Sequence, residues 1–242
     1  MRVRKKRWTQ SELDTNERLV TPFNVNRGRW REYFGNDNDI HAEVGCGMGR
    51  WITQSAALCP GINFVALERQ RHVIVSGMRA SRQFEIKPAF VICDADDLLE
   101  VFAPGELSRI YVNFCDPWPR PRWYKRRLTH RRFLEKYRII LRTGGGLFFK
   151  TDNMPLFDWS LSEFKTNGWS LENVTRDLHA SKSHHTAIDA ESQTMDSSKI
   201  ADRNRNDERV CRGVPMLLMT EYEEKFFLKG VPIYSCEAYT RD

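Results

Sequence analysis

Short apolar runs separated by helix-length amphipathic stretches cover most of the chain. Residues 40–44, 64–67, 90–92, 110–114 and 147–150 have the length and apolar content of buried strands. Between them, a segment through Trp51, Ala56 and Leu58, residues 71–79 and residues 128–141 read as helices. In the last of these, Phe133, Leu134, Tyr137 and Leu141 form one apolar stripe among basic and polar positions. Gly144-Gly145-Gly146 is expected to stop that helix. A further helix is expected over 156–165, ended by Asn167-Gly168, and strands over 171–178 and 233–239. Strands spaced by helices in this way predict an α/β protein with a mostly parallel sheet covered on both faces.

Two stretches lack the pattern. Residues 1–36 are polar and arginine-rich and are expected to form an arm with a short helix near 30–34. Residues 181–209 are rich in Ser, Asp, Asn, Arg and Lys, with few large apolar side chains to offset ordering entropy, and read as a mobile insertion. Order is expected to resume over 216–222. The remainder, 37–242, reads as one domain, the default for 242 residues.

Composition narrows the function classes. The net charge of +6 is modest but unevenly placed, which points to a polyanionic partner, an anionic surface or solubility. No apolar run approaches the ~20 residues that cross a bilayer, and no apolar core follows the basic start Arg2-Val3-Arg4-Lys5-Lys6-Arg7, so export and a membrane partner are not expected. The six cysteines form no CxxC pair and read as reduced cytosolic thiols, with no zinc site. Histidines 179, 184 and 185 with Cys211 lack ligand spacing, and no metal is expected.

In such folds ligands sit at the carboxyl ends of the strands. Those ends carry Glu43-Val44-Gly45-Cys46-Gly47-Met48-Gly49, then Glu68, Asp94 and Asp116. The glycines permit a sharp turn and close backbone approach. The spacing is G-x-G-x-G, since a dinucleotide fingerprint would need its third glycine at position 50, which is Arg50. Glu43 beside the loop suits a cationic ligand, and S-adenosylmethionine (AdoMet) carries a sulfonium and an ammonium. Glu68, 21 positions beyond Gly47, can accept both ribose hydroxyls. Asp94 fits either a turn or cap aspartate or a hydrogen bond to the adenine amino group, with Asp96 and Asp97 as alternatives. The cofactor set read from the residues is therefore Glu43, Gly45, Gly47, Gly49, Glu68 and Asp94.

The segment from Asn113 to Leu128 delivers Asp116 into the stiffened turn Asp116-Pro117-Trp118-Pro119. Arg120 to Arg132 then holds seven arginines and lysines and no acid. Arginines fork onto phosphates while Trp118 or Trp123 stacks on a base, so Arg122, Trp123, Lys125, Arg126 and Arg127 are candidate RNA contacts. A solvated charged face would produce the same run.

With these features the chain resembles the tRNA (guanine-N7)-methyltransferases. The resemblance rests on Glu43 to Gly49, Glu68, Asp94-Ala95, Phe114 to Pro119, Lys125 to Leu128, Lys150-Thr151-Asp152-Asn153 and Thr220-Glu221-Tyr222-Glu223. It implies a seven-stranded, Rossmann-like AdoMet-dependent methyltransferase fold, and methylation of N7 of guanine 46 in the tRNA variable loop to 7-methylguanosine. By similarity, AdoMet binding falls to Glu43, Glu68, Asp94 and Asp116. Guanine N7 carries no proton to remove, so Asp116 is expected to be catalytic by accepting from guanine N1–H and the 2-amino group or by positioning the cofactor amino group. Substrate contacts fall to Arg120, Asp152, Thr220 and Glu223. The family more often has lysine at 120 and histidine at 123; here Trp123 and Pro121 alter the loop. A cytoplasmic monomer or weak homodimer acting on tRNA is expected.

Thr220 and Glu223 also match a capping box. Two rivals remain: a methyltransferase acting on another nucleic-acid or small-molecule nitrogen, and a non-catalytic RNA-binding protein that keeps the fold.

Overall fold

The computed structural model describes residues 13–14, 18–20, 22–180 and 218–240. The basic run Arg2 to Arg7, the polar stretch 181–209, residues 216–217, His184, His185 and Cys211 lie outside them. In chain order the elements are β1 (Leu19–Val20), α1 (Trp30–Phe34), β2 (Asp39–Val44), α2 (Arg50–Leu58), β3 (Ile62–Glu68), α3 (Arg71–Ser81), β4 (Ala89–Ile92) and α4 (Leu98–Val101). There follow β5 (Leu107–Asn113), a 3₁₀ helix (Pro121–Arg126), α5 (Arg131–Ile140), β6 (Leu141–Thr151), α6 (Met154–Thr166), β7 (Trp169–Thr175), α7 (Glu221–Phe227) and β8 (Tyr234–Thr240).

The strands form one sheet in the order β1-β4-β3-β2-β5-β6-β8-β7. β8 enters antiparallel between β6 and β7, and the other strand pairs among the described residues are parallel. Period-two alternation puts Val65 and Leu67 of β3 into one apolar cluster and Phe64 and Ala66 into another. The first cluster is closed by Phe133, Leu134, Tyr137 and Ile140 of α5 and by α6, the second by Trp51, Ile52, Ile74, Val75 and Met78 of α2 and α3. Helices on both faces follow from a sheet that is apolar on both sides.

Three details depart from the expected pattern. The sheet has an eighth strand, because Leu19 and Val20 pair with Phe90 and Val91 of β4. The stretch read as an arm also supplies Trp30, fully buried, whose Nε1 donates to the Val101 carbonyl at 3.0 Å. Finally, α5 starts at Arg131, where His130 caps it through a bond from Arg132 N, and ends at Ile140, so Leu141 begins β6 directly. The three glycines therefore lie inside β6. Pairing jumps from Leu107–Leu141 to Arg109–Gly146, so residues 142–145 bulge. Gly146 is required there, since a Cβ would stand 2.6 Å from the Tyr239 ring.

Candidate active site

β2 pairs in parallel on both sides, and the chain departs from it toward β3 and β4 in one direction and toward β5 and β6 in the other. That switch point leaves a crevice at the strands' carboxyl ends. An open cleft of about 1040 Å³ lies there, lined by Glu43, residues 45–49, Glu68, Asp94, Asp116 and Thr220 among others. Arg120, Asp152 and Glu223 are not among its lining residues.

The glycine loop forms because Gly45, Gly47 and Gly49 take φ values of 77°, 57° and 67°, where a side chain is strained. Gly45 and Cys46 both donate to the Leu67 carbonyl at 2.9 Å, tying the loop to β3. Glu68 closes the turn: its Oε2 accepts from Gly47 N at 3.2 Å and its Oε1 from Gln70 N at 2.9 Å. Asp94 caps the 3₁₀ turn Ala95–Asp97, with Oδ1 accepting from Asp96 N at 3.1 Å and Oδ2 3.9 Å from the Arg69 guanidinium. The cap reading thus holds for one oxygen, and the residue still lines the cleft.

Glu43 is buried. Asn113 Nδ2 donates to its Oε1 at 2.9 Å, while its Oε2 has no partner among the described residues. Burial pushes the carboxyl up to about 8, and the Glu68 charge adds to this against the Asn113 hydrogen bond and the Lys150 ammonium. A buried acid with an orphaned oxygen beside an open cleft suits a cationic ligand, which favours its ionised form, whereas a pyrophosphate would hold it neutral and gain no charge pairing from it. AdoMet meets that requirement. Cys46, Cys93 and Cys115 line the same cleft, yet burial pushes the Cys93 and Cys115 thiols up to about 12 and Cys46 well above its ordinary range. They stay protonated and weakly nucleophilic beside a methyl donor.

The loop after β5 is strained. Phe114 and Trp118, flanking Asp116, have φ of 50° and 42°, an arrangement that costs on the order of 1–3 kcal/mol per residue. Phe114 N donates to the Lys150 carbonyl at 2.9 Å. On the other side, buried Arg127 donates from Nε to the Pro117 carbonyl at 2.8 Å and from Nη2 to the Trp118 carbonyl at 3.3 Å. Its guanidinium carbon lies 3.8 Å from the Tyr124 ring centroid and 4.5 Å from that of Trp159. The sequence suggests Arg127 as an RNA contact, but its burial, the use of Nε and Nη2 on these two carbonyls and its two ring contacts favour a role in holding this loop. Asp116 is left exposed on the cleft wall.

Around it, cations and indoles interleave. Arg120 and Arg122 approach the Trp123 ring at 4.9 and 5.1 Å, Trp123 meets Trp118 edge-on at 5.9 Å, and Arg126 lies over Trp118 at 4.9 Å. Arg120, Arg122, Lys125 and Arg126 are exposed, a geometry that fits phosphate binding.

Opposite, Thr220 and Glu223 form a complete capping box at the start of α7. Glu223 Oε2 also accepts from Lys150 Nζ at 2.9 Å, and Oε1 lies 3.1 Å from His179 Nε2. The carboxylate is fully buried, so the direct substrate contact implied by resemblance gives way to an internal junction. Arg50, first residue of α2, joins Glu224 at 2.8 Å and links α7 to the glycine-loop wall.

The chain matches a family model described as "Putative methyltransferase" over residues 37–236. Its relatives include a tRNA (guanine-N(7)-)-methyltransferase of Halalkalibacterium halodurans, 39% identical, covering 100% of this chain and 96% of that protein. Another, with the same description, is from Bacillus subtilis, 37% identical over the full length of both. The chain belongs to the tRNA (guanine-N(7)-)-methyltransferase family. Among solved structures, the 16S rRNA methyltransferase KamB superposes with a TM-score of 0.55 at 12% identity, covering 88% of this chain and 94% of that one. The antibiotic-resistance methyltransferase Kmr gives 0.54 at 15%, covering 89% and 93%. At those identities they support the fold alone.

In this tRNA methyltransferase, sequence reasoning missed Asn113, Lys150, His179 and Gly77 as site-building residues. Gly77 sits inside α3 against the glycine loop, where a Cβ would meet the Met48 carbonyl oxygen at 2.8 Å and Gly49 Cα at 3.1 Å. Alanine favours a helix interior over glycine, yet here it must displace the loop. Overpacking of this kind costs about 1–3 kcal/mol, so Gly77→Ala is expected to weaken AdoMet binding roughly 5- to 150-fold. Isothermal calorimetry with AdoMet checks this; unchanged affinity would mean the loop gives way freely.

Proposed function

We propose that this methyltransferase modifies N7 of guanine 46 in the tRNA variable loop, yielding 7-methylguanosine. Family membership makes the reaction a methyl transfer from AdoMet to guanine N7 of tRNA. The observation that carries the finer reading is the meeting, on one cleft, of a buried acid with one unpartnered oxygen and an exposed acid in a strained, arginine-bolted loop.

When bound, AdoMet supplies an electrophilic methyl group on its sulfonium. Glu43 takes the cationic end, Glu68 and Asp94 the nucleoside, and the glycine backbone allows close approach. Guanine N7 holds an in-plane lone pair and no proton, so Asp116 is not needed as a base. It accepts from guanine N1–H and the 2-amino group or orients the cofactor, and eases charge developing on the ring. Arg120, Arg122, Lys125 and Arg126 grip phosphates beside Trp118 and Trp123. Thr220 lines the cleft, with Glu223 holding it in place, and Asp152 is the further substrate contact that family membership suggests. Action as a monomer or weak homodimer is part of this reading. A tRNA substrate and the absence, among the described residues, of any helix long and apolar enough to cross a membrane suit a cytoplasmic site.

The test is transfer of labelled methyl from AdoMet to unmodified tRNA transcripts. Label in 7-methylguanosine is expected with guanine 46 and lost when that base is adenine. Asp116→Ala should lower turnover by roughly 10²-fold or more, the scale of losing reactant alignment, while leaving the protein folded. AdoMet binding with label at another base would move the site. Failure of AdoMet binding alongside retained RNA binding would favour a non-catalytic RNA-binding protein.

A further inference from the structure

We infer that Phe114 and Tyr222 form the stacking platform that receives the target guanine once it leaves the tRNA fold. The inference rests on the reading of the cleft as a tRNA guanine site and adds residues that the reading did not use. A base that undergoes chemistry must be taken out of its stack and held against side-chain surfaces, and aromatic faces do this for any base. The question is which aromatic faces are free.

Trp118 and Trp123 are the obvious candidates by sequence. Their faces are approached by guanidinium groups at 4.9 to 5.1 Å, from Arg126 on one and Arg120 and Arg122 on the other. Those arginines would have to be displaced before a base could stack, so the two indoles serve as a phosphate-binding ledge. Phe114 and Tyr222 differ. Both line the cleft that contains Asp116. Tyr222 is 58% exposed although it belongs to a helix bolted down on both sides of it, by Thr220 with Glu223 and by Glu224 with Arg50. The ring is therefore open to a ligand entering the cleft.

The ring geometry leaves room. Centroids are 6.5 Å apart with an interplanar angle of 21°. Two carbon–carbon contacts of about 3.5 Å each sum to roughly 7 Å. The rings are thus either separated by nearly the thickness of a base or displaced sideways until neither covers the other. In either case Tyr222, 58% exposed, keeps ring surface open to the cleft. Lys225 Nζ, 5.8 Å from the Tyr222 centroid, is an exposed cation that can turn to a phosphate.

Phe114 carries its ring at a cost. It adopts φ of 50°, fixed by the bond from its N–H to the Lys150 carbonyl. Such a strained position is kept where the direction of the side chain matters. Placed one residue after β5 and two before Asp116, it sets the plane of a stacked guanine while Asp116 meets the edge. The aromatic faces would supply affinity for a purine, and the acid would supply the choice of guanine.

The experiment compares wild type with Tyr222→Ala, Tyr222→Phe and Tyr222→Trp, using AdoMet calorimetry, tRNA affinity and steady-state kinetics on an unmodified transcript. Tyr222 is exposed, so these variants are expected to fold with unchanged AdoMet affinity. Phosphate contacts dominate tRNA affinity, so the loss in Tyr222→Ala should fall on kcat, by about 5- to 150-fold, the range of one base–aromatic stack. Phenylalanine and tryptophan should restore most of it, which a purely structural role would not allow for the larger ring. An alanine variant with wild-type kcat, a defect confined to tRNA affinity, or a phenylalanine variant as poor as alanine would each overturn the inference. Absence of methyl transfer by wild type itself would instead overturn the guanine reading on which it rests.

Discussion

Lys150→Met is expected to lower the unfolding free energy by about 3–5 kcal/mol, the range for removing one partner of a buried ion pair. Lys150 Nζ is 2.9 Å from Glu223 Oε2, with side-chain exposures of 8% and 0%. Methionine fills the stem but leaves the carboxylate facing one cation fewer in a site closed to water. The neutral double variant Lys150→Met/Glu223→Gln should recover part of the loss, because glutamine can still accept from Thr220 N and pair with His179. Urea unfolding of the three proteins measures this, and equal loss in single and double variants would show that packing rather than charge holds the junction. Acid should act in the same direction. Burial alone would raise the Glu223 carboxyl, but hydrogen bonding from His179 and the charge and hydrogen bond of Lys150 outweigh it and hold the group below its ordinary 4.5. A depressed carboxyl gives stability that is complete above pH 4.5 and is lost as pH falls through the folded value.

AdoMet binding at pH 7 is expected to release close to one proton, and Glu43→Gln to release none from this site. The carboxyl of Glu43 is pushed up to about 8 in the ligand-free protein, so it is mostly protonated at neutrality. A cation beside its orphaned oxygen favours the ionised form. Affinity should therefore fall as pH drops below about 8, by at most tenfold per unit for one linked proton. Calorimetry in two buffers of different ionisation enthalpy counts the proton directly. Zero release by wild type would mean that Glu43 stays neutral and acts only as a hydrogen-bonding group. The stability sign is opposite to that of Glu223. A carboxyl raised in the fold weakens the ligand-free protein as pH climbs from 4.5 toward 8, and AdoMet removes that penalty.

The parts of the site that the sequence made legible are those that depend on local pattern. Glu43, Glu68, Asp94 and Asp116 stand at the ends of recognisable apolar runs, and the loop beside Glu43 shows its own glycines, so one cleft containing all four could be foreseen. What was hidden depends on neighbours far along the chain. Leu19 and Val20 make a strand too short to have a period, and only β4 reveals it. Asn113 looks like the polar end of a strand until β2 brings Glu43 alongside. Gly77 reads as a weak spot in a helix until Met48 is seen against it. Arg127 is indistinguishable in sequence from Arg126; burial between Tyr124 and Trp159 separates a loop bolt from an exposed cation. The triple glycine misled for a related reason, since its role is set by Tyr239 on β8 and not by the preceding helix.

The capping box of α7 has a consequence for how the protein assembles. A seven-residue helix is too short to persist in isolation. The carboxylate that caps its first turn is also the one that docks on Lys150, so helix nucleation and attachment to β6 are a single event. His179 meets the same group, so the segment after β7 is held at this junction too. The wall that carries Thr220 and Tyr222 therefore shares its anchoring contacts with β6 and belongs to the same cooperative unit as the strand it closes.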